Sequence, residues 1–393
     1  MAEIISLNPD TDYLVSAGGV VSSAGAEATG RRLVTIHNGK IESVLEATCP
    51  IPARFTAPSC QRHDVGEAVL HPAFIDSHVH LGIRAASDPE QGISQCLCNG
   101  IAAVRDGGDP WAATLLGKGR LSQLGIQIHA SGWAIHHRDG YGRFLGKGIA
   151  SHEDFEELLS TPTMRGADFV KIIVSGIVDF ETGALSGPTI FQQADLRRMV
   201  ESAARRGLWV MAHANSDPAI RASVMAGVRS IEHGLLITRD AVKLMADSGV
   251  YWTPTLLPVF NLGRSNELGL KAPSRIAANV QRIYRQHEKN VLFAYEAGVK
   301  LVAGTDAGVP GIHPGSSLHE ELGLMVSAGL SAEAAMQSAT VHPAEMLASS
   351  GYPSLGSIAP GKWAHLLGLS RLPTGRLIVP EDILFVIAVR APL

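Results

Sequence analysis

Strand-like and helix-like runs alternate over about 280 residues of this 393-residue chain, and that alternation constrains the fold more than any other feature. Eight apolar runs carry the strand signal. The first ends in Phe74-Ile75-Asp76-Ser77-His78-Val79-His80, and Gly100–Asp106, Gly125–Ala130 and Asp168–Val174 follow. Leu208–His213, Ser230–His233, Val250–Thr253 and Lys300–Asp306 complete the series. Helical patterns fill most of the gaps, at Glu153–Leu159, Asp195–Arg206, Ala219–Ala226, Arg239–Asp247 and about 275–297. Asp195 near one helix start and Arg205 and Arg206 at its end suit the helix dipole. Eight such units predict an α/β chain closed into a (β/α)8 barrel of the TIM type. A doubly wound sheet would want a glycine-rich phosphate turn after its first strand, and none is there.

The two ends read differently. Tyr13–Ser16, Arg32–Ile36 and Lys40–Leu45 alternate as short strands, and Asn38-Gly39 between the last two is a hairpin signal. Past Asp306, Leu318–Ala328 and Ala332–Ala348 are helical patterns. Leu355–Lys362 then forms a turn, and Ala364–Leu369 and Ile383–Val389 return to strand. Both ends are therefore expected to share one small β domain. The boundaries are 1–70 and 355–393 for that domain and 71–354 for the barrel.

In a barrel of this kind, functional side chains gather at the carboxyl ends of the strands. Five run ends carry metal-compatible residues: His78 and His80, Lys171, His213, His233, and Asp306. Residues two apart on a strand share a face, so His78 and His80 can address one ion. Lys171 sits inside the apolar run Asp168–Val174. Desolvation there lowers its pKa and frees a neutral amine. Cys96-x-Cys98 lacks the second pair of a zinc site, so it and Cys60 are expected to be reduced thiols.

A formal net charge of −4 suggests neither a nucleic-acid nor an anionic-membrane partner. Met1–Ile5 has no basic segment leading an apolar one, and no apolar run is long enough to span a bilayer. A soluble, cytoplasmic protein acting on a small molecule is expected, and a homo-oligomer is compatible with the sequence.

With these residues in view, the chain resembles the amidohydrolase superfamily of metal-dependent hydrolases. The resemblance rests on His78-x-His80, Val170-Lys171-Ile172, Ala212-His213-Ala214, Glu232-His233-Gly234 and Gly304-Thr305-Asp306-Ala307-Gly308. Gly356–Lys362 is similar to the family's return to its β domain. Within the superfamily the chain is most similar to the prolidase-like branch of dipeptidases and N-acyl amino acid hydrolases.

The resemblance implies a (β/α)8 barrel with a small β-sandwich domain built from both chain ends. It also implies two divalent ions, Zn²⁺ first and Mn²⁺ or Co²⁺ as alternatives. His78, His80 and Asp306 would hold one, His213 and His233 the other, and Lys171, carboxylated to a carbamate, would bridge them. Asp306 would be the catalytic acid and base. A shared hydroxide would attack an amide beside a carboxylate, in a dipeptide or N-acyl amino acid.

The substrate carboxylate needs a donor at the mouth. His136, His137 and Arg138, after the third strand, and His313, after the eighth, are the candidates, with His319 behind them. This stretch departs from the branch, which often has a glycine-rich segment with a histidine there. His342 falls in a helical pattern and is expected to be structural, and His365 stands where relatives usually carry an acid. Three other readings compete. A deaminase of the superfamily would carry Glu where Ser216 stands. A lactonase, esterase or cyclic-amide hydrolase would use the same ions. A non-catalytic scaffold would have lost ligands, and none is missing.

Overall fold

The computed structural model describes residues 2–22, 27–83, 88–187, 191–264, 275–348 and 355–390. Met1 and the expected segment ends at 354 and 391–393 lie outside the described residues.

Both chain ends meet in one sheet. Glu3–Leu7 runs parallel to Ile383–Val389, which pairs antiparallel with Leu366–Leu369. Val69–Pro72 comes next, then Tyr13–Val21, Glu27–His37 and Lys40–Glu46, with Gln61–Asp64 also on Tyr13–Val21. Asn38 and Gly39 both take positive φ, 51° and 70°, the geometry of a two-residue hairpin turn. The eight strands form a single hydrogen-bonded sheet where a sandwich of two sheets was expected. Its apolar core draws Leu7, Val15, Val34 and Ile36 from one end of the chain and Leu366 and Ile387 from the other.

The rest is mixed α/β, and its strands pair in parallel apart from a short antiparallel pair, Val178–Asp179 with Ala184–Leu185. Phe74–Val79, Ile101–Asp106 and Gln127–Ala130 form one sheet. A second follows the order Gly146–Ile149, Ala134–His137, Val170–Ile173, Val210–Ser216, Ser230–Leu236, Tyr251–Thr253. The expected third strand thus continues past its predicted end as a second piece, Ala134–His137.

The predicted eighth strand is not a regular ladder. It makes a parallel bridge from Leu301 to Trp252 and another from Ala307 to Val79. Val302 N–H donates to the Trp252 carbonyl at 2.9 Å, and Asp306 N–H to the His78 carbonyl at 2.7 Å. One segment therefore touches the last strand of one sheet and the first strand of the other.

Helices pack outside these strands and start where local chemistry allows. Asp88, Ser151, Thr238 and Ser331 each accept a backbone N–H from the first turn of the helix that follows. Gly227 ends Asp217–Ala226 at φ 90°. Among the described residues, the pattern did not reveal the short helix Ala53–Thr56 or the longer helices Pro89–Cys98, Ala113–Ser122 and Leu256–Arg264. Cys96 and Cys98 lie on Pro89–Cys98, where positions two apart point to different sides. Both are free thiols, as are Cys49 and Cys60. No helix among the described residues is long and apolar enough to cross a membrane.

Candidate metal centre

His78 and His80 stand at the end of the first parallel strand, both buried. Their Nε2 atoms are 3.3 Å apart. Asp306 Oδ1 lies 3.5 Å from the first and 3.4 Å from the second. These three side chains offer ligand atoms within 4.8 Å of one another. The His213 ring sits 4.6 Å from His233, and His233 sits 4.9 Å from His78, centroid to centroid. His80, Lys171, His213, His233 and Asp306 all line one cavity of about 200 Å³. Residues spread over more than 200 positions of sequence are thus brought together by the strand ends.

The far side of each ring is tied down. His78 Nδ1 donates to Glu232 Oε2 at 2.8 Å, and His80 Nδ1 to the Gly108 carbonyl at 2.7 Å. Both acceptors lack a proton to give, so each ring turns an Nε2 lone pair towards Asp306. His233 Nδ1 pairs with Thr255 Oγ1 at 2.8 Å, and His213 Nε2 lies 3.3 Å from the Gly176 carbonyl. Bonds of this sort fix the tautomer and the aim of ligand histidines.

Glu232 is itself held by Arg105. The guanidinium is fully buried and donates to Glu232 Oε2 at 2.7 Å, Ser230 Oγ at 2.8 Å and Thr253 Oγ1 at 3.0 Å. Asp76 holds the opposite side, accepting the His78 N–H and both the N–H and hydroxyl of Thr305. Sequence reasoning passed over Arg105, Glu232 and Asp76. The available signal was a charged residue inside an apolar strand, which is stable only when paired.

The backbone is strained here. His233, Thr255 and Asp306 have φ of 66°, 47° and 62°, three of the five non-glycine residues in that region among the described ones. Gly304 lets the eighth segment approach, since a Cβ there would stand 2.7 Å from His78 Cβ.

Electrostatics follow burial. Desolvation, then the Lys171 ammonium, holds His80 down at about 4 and His213 at about 3, and the same burial keeps His78 and His233 well below their ordinary value. All four are neutral bases at pH 7. Burial pushes Asp306 up to about 6, opposed by Lys171. Lys171 is lowered to about 8 by desolvation, opposed by Glu232. Its Nζ is buried and has no hydrogen-bond partner among the described residues, with the residue only 1% exposed.

This donor set fits divalent cations. Neutral imidazoles with inward lone pairs, a carboxylate and an unpartnered buried amine are costly without a cation or a further ligand to satisfy them.

The expected substrate contacts lie elsewhere. Arg138 is exposed and bonds Asp154 at 3.2 Å. His136 Nδ1 turns to the His137 carbonyl at 2.7 Å, and the His137 ring packs on Phe191. His313 lines a neighbouring cavity with Asp88, Gln91 and Gln95. None of the four is on the wall of the metal-site cavity among the described residues. His136 and His137 lie on the strand Ala134–His137, which pairs with Val170–Ile173, and Arg138 follows its end. His319 bonds the Asn99 carbonyl at 2.9 Å, away from the mouth. His342 bonds the Leu301 carbonyl at 2.9 Å and His365 is buried in the β sheet, so both serve structure.

A model of the amidohydrolase family matches residues 69–378. Among curated proteins, an uncharacterized protein of Mycobacterium tuberculosis is 27% identical over 276 residues, 68% of this chain and 71% of that one. Ochratoxinase of Aspergillus niger is 24% identical over 393 residues, 87% of this chain and 78% of that one. Among solved structures, a Xaa-Pro dipeptidase with methionine bound in its active site superposes with a TM-score of 0.79. It is 25% identical and covers 96% of this chain and 98% of its own. With the His-His-Asp group and the family match in agreement, this chain belongs to the amidohydrolase family, on its prolidase-like branch.

Proposed function

We propose that the protein hydrolyses an amide bond of a small substrate, a dipeptide or N-acyl amino acid, at a binuclear metal centre. Hydrolase activity on amides follows from the family and from the dipeptidase and ochratoxinase relatives. We infer further that the two parallel sheets and the segment 300–307 close into one eight-stranded barrel. The hydrogen bonds from that segment to Trp252 and to His78 support this.

His78, His80 and Asp306 would hold one divalent ion and His213 and His233 the second. Lys171, carboxylated on Nζ, would supply two oxygens to bridge them. Zinc suits imidazole and carboxylate donors, as do manganese and cobalt. Such ions, when bound, polarise a carbonyl oxygen and acidify water.

The chain's own groups do the rest. Asp306 accepts the proton of the attacking water through its carboxylate and returns it to the leaving nitrogen. Glu232 and Arg105 keep the His78 ring aimed. The burial around Lys171 favours the neutral amine that must attack carbon dioxide, forming the N–C bond and releasing a proton.

One observation carries the reading: an amine without a partner among the described residues is buried in a cavity that His80, His213, His233 and Asp306 also line. The test is metal analysis of protein prepared with zinc and bicarbonate, followed by a screen of dipeptides and N-acyl amino acids. Close to two ions per chain and turnover of an amide are expected. Turnover of lactones or aryl esters with no amide cleaved would transfer the assignment to a lactonase.

A further inference from the structure

The structure assigns the mouth of the cavity to an uncharged, apolar group of the substrate, aliphatic or aromatic, next to the bond that is cut. This rests on the amide-hydrolase reading and names its substrate class.

The floor of the cavity is polar, but the wall above it is not. Phe144, Leu145, Ile177, Phe180, Pro258 and Leu262 line it, the first four from two connecting segments and the last two from the helix Leu256–Arg264. The charged side chains on the lining, among the described residues, are Lys171 and Asp306. Both are already assigned to the metals. An anionic group held against this wall would lose its hydration and gain no cation, which is costly.

Two further observations agree. Phe144 and Ile177 are 44% and 42% exposed where they line this cavity, so the apolar wall reaches solvent at the mouth. The wall is also fixed in place. Glu321, fully buried, accepts the Leu256 and Leu257 N–H groups, each at 2.8 Å, and so pins the start of the Leu256–Arg264 helix that carries Pro258 and Leu262. Tyr141 also lines the cavity, its ring 5.6 Å from that of His213, centroid to centroid. Asn215 and Thr255, also on the lining, are bonded to their neighbours.

The test uses two series on zinc-loaded protein. One varies the acyl group of an N-acyl alanine through acetyl, butyryl, hexanoyl and benzoyl, with succinyl as the anionic match. The other fixes the acyl group and varies the amino acid through leucine, phenylalanine and aspartate.

In at least one series kcat/KM should rise about threefold per added methylene. The anionic member should fall at least about tenfold below its neutral match. Ile177→Lys and Phe144→Lys change exposed positions and should each cut that selectivity about tenfold. An anionic member as good as its neutral match, or unchanged selectivity in both variants, overturns the inference while leaving amide hydrolysis standing. If no amide turns over, the amide-hydrolase reading fails. The inference is then read from calorimetric affinity for hydroxamates bearing the same tails, where tighter binding of the anionic tail overturns it.

Discussion

The floor and the wall of the cavity are built on opposite terms. The floor is made at the ends of parallel strands, and every ligand-type ring on it is aimed by a second hydrogen bond. The wall comes from connecting segments and one helix, with aromatic and aliphatic side chains that make no directional bond. Sheet hydrogen bonding fixes strand ends to within fractions of an ångström, which metal chemistry needs. Loops vary without disturbing the sheets beneath them. On the proposed reading, the floor carries the reaction and the wall carries the choice of substrate.

If that division is right, changes on the floor should abolish turnover and changes on the wall should only redistribute it. The largest effect is expected from Lys171→Ala, which removes the proposed bridge. Metal content should drop and activity fall to background, and short carboxylates in the assay should restore part of it. Full activity in this variant would remove Lys171 from the centre. Asp306→Asn keeps shape but removes the proposed base, so kcat should fall by about 10²–10⁴ with the fold intact by circular dichroism.

Glu232→Gln comes next. It leaves His78 with a weaker partner and Arg105 buried beside a neutral amide. Metal affinity should weaken by about 10–100-fold, read by competition with a chelator. Thermal stability should fall as well, because a buried charge that loses its partner typically costs about 3–5 kcal/mol. Unchanged metal affinity would show that the Arg105–Glu232 pair serves only the core.

On the wall, Phe180→Ala should raise KM about tenfold for apolar substrates while kcat stays within about threefold, since it holds substrate and transition state alike. The smallest effect belongs to Arg138→Ala. Its partner is exposed Asp154, so kcat/KM should stay within about twofold of the parent and stability within about 1 kcal/mol. A large loss on carboxylate-bearing substrates would return Arg138 to the role its place in the sequence suggested.

The floor was legible because its residues interrupt apolar runs. His78, His80, Lys171, His213, His233 and Asp306 each stand where an alternating pattern leaves one polar side chain at or near a strand end. Topology alone then brings them together. Arg105 and Glu232 sit in the same runs but below the mouth, and only their mutual contact separates a structural charge from a ligand.

The mouth was illegible for the opposite reason. Phe144 and Ile177 are apolar residues in connecting segments, where no period marks them. His136, His137 and Arg138 carried the louder chemical signal. Yet their strand pairs with Val170–Ile173, and its polar groups turn to neighbours already present. The return of the C-terminus to the N-terminal sheet was readable from strand patterns. The irregular pairing of the eighth segment was not, because Gly304 and the left-handed Asp306 break a ladder that composition alone would continue.

That left-handed trio has a consequence for how such a chain changes over generations. Each of His233, Thr255 and Asp306 holds a conformation that costs of order 1–3 kcal/mol for a side chain with a Cβ. Glycine would relieve it. Substitution by glycine at these three positions therefore relieves strain, and each such change removes a side chain of the candidate metal centre or one that holds it. A lineage released from selection for the reaction would drift there first and become sturdier as it went silent. An intact trio in a descendant is thus a sign of continuing use, since stability alone would not preserve it.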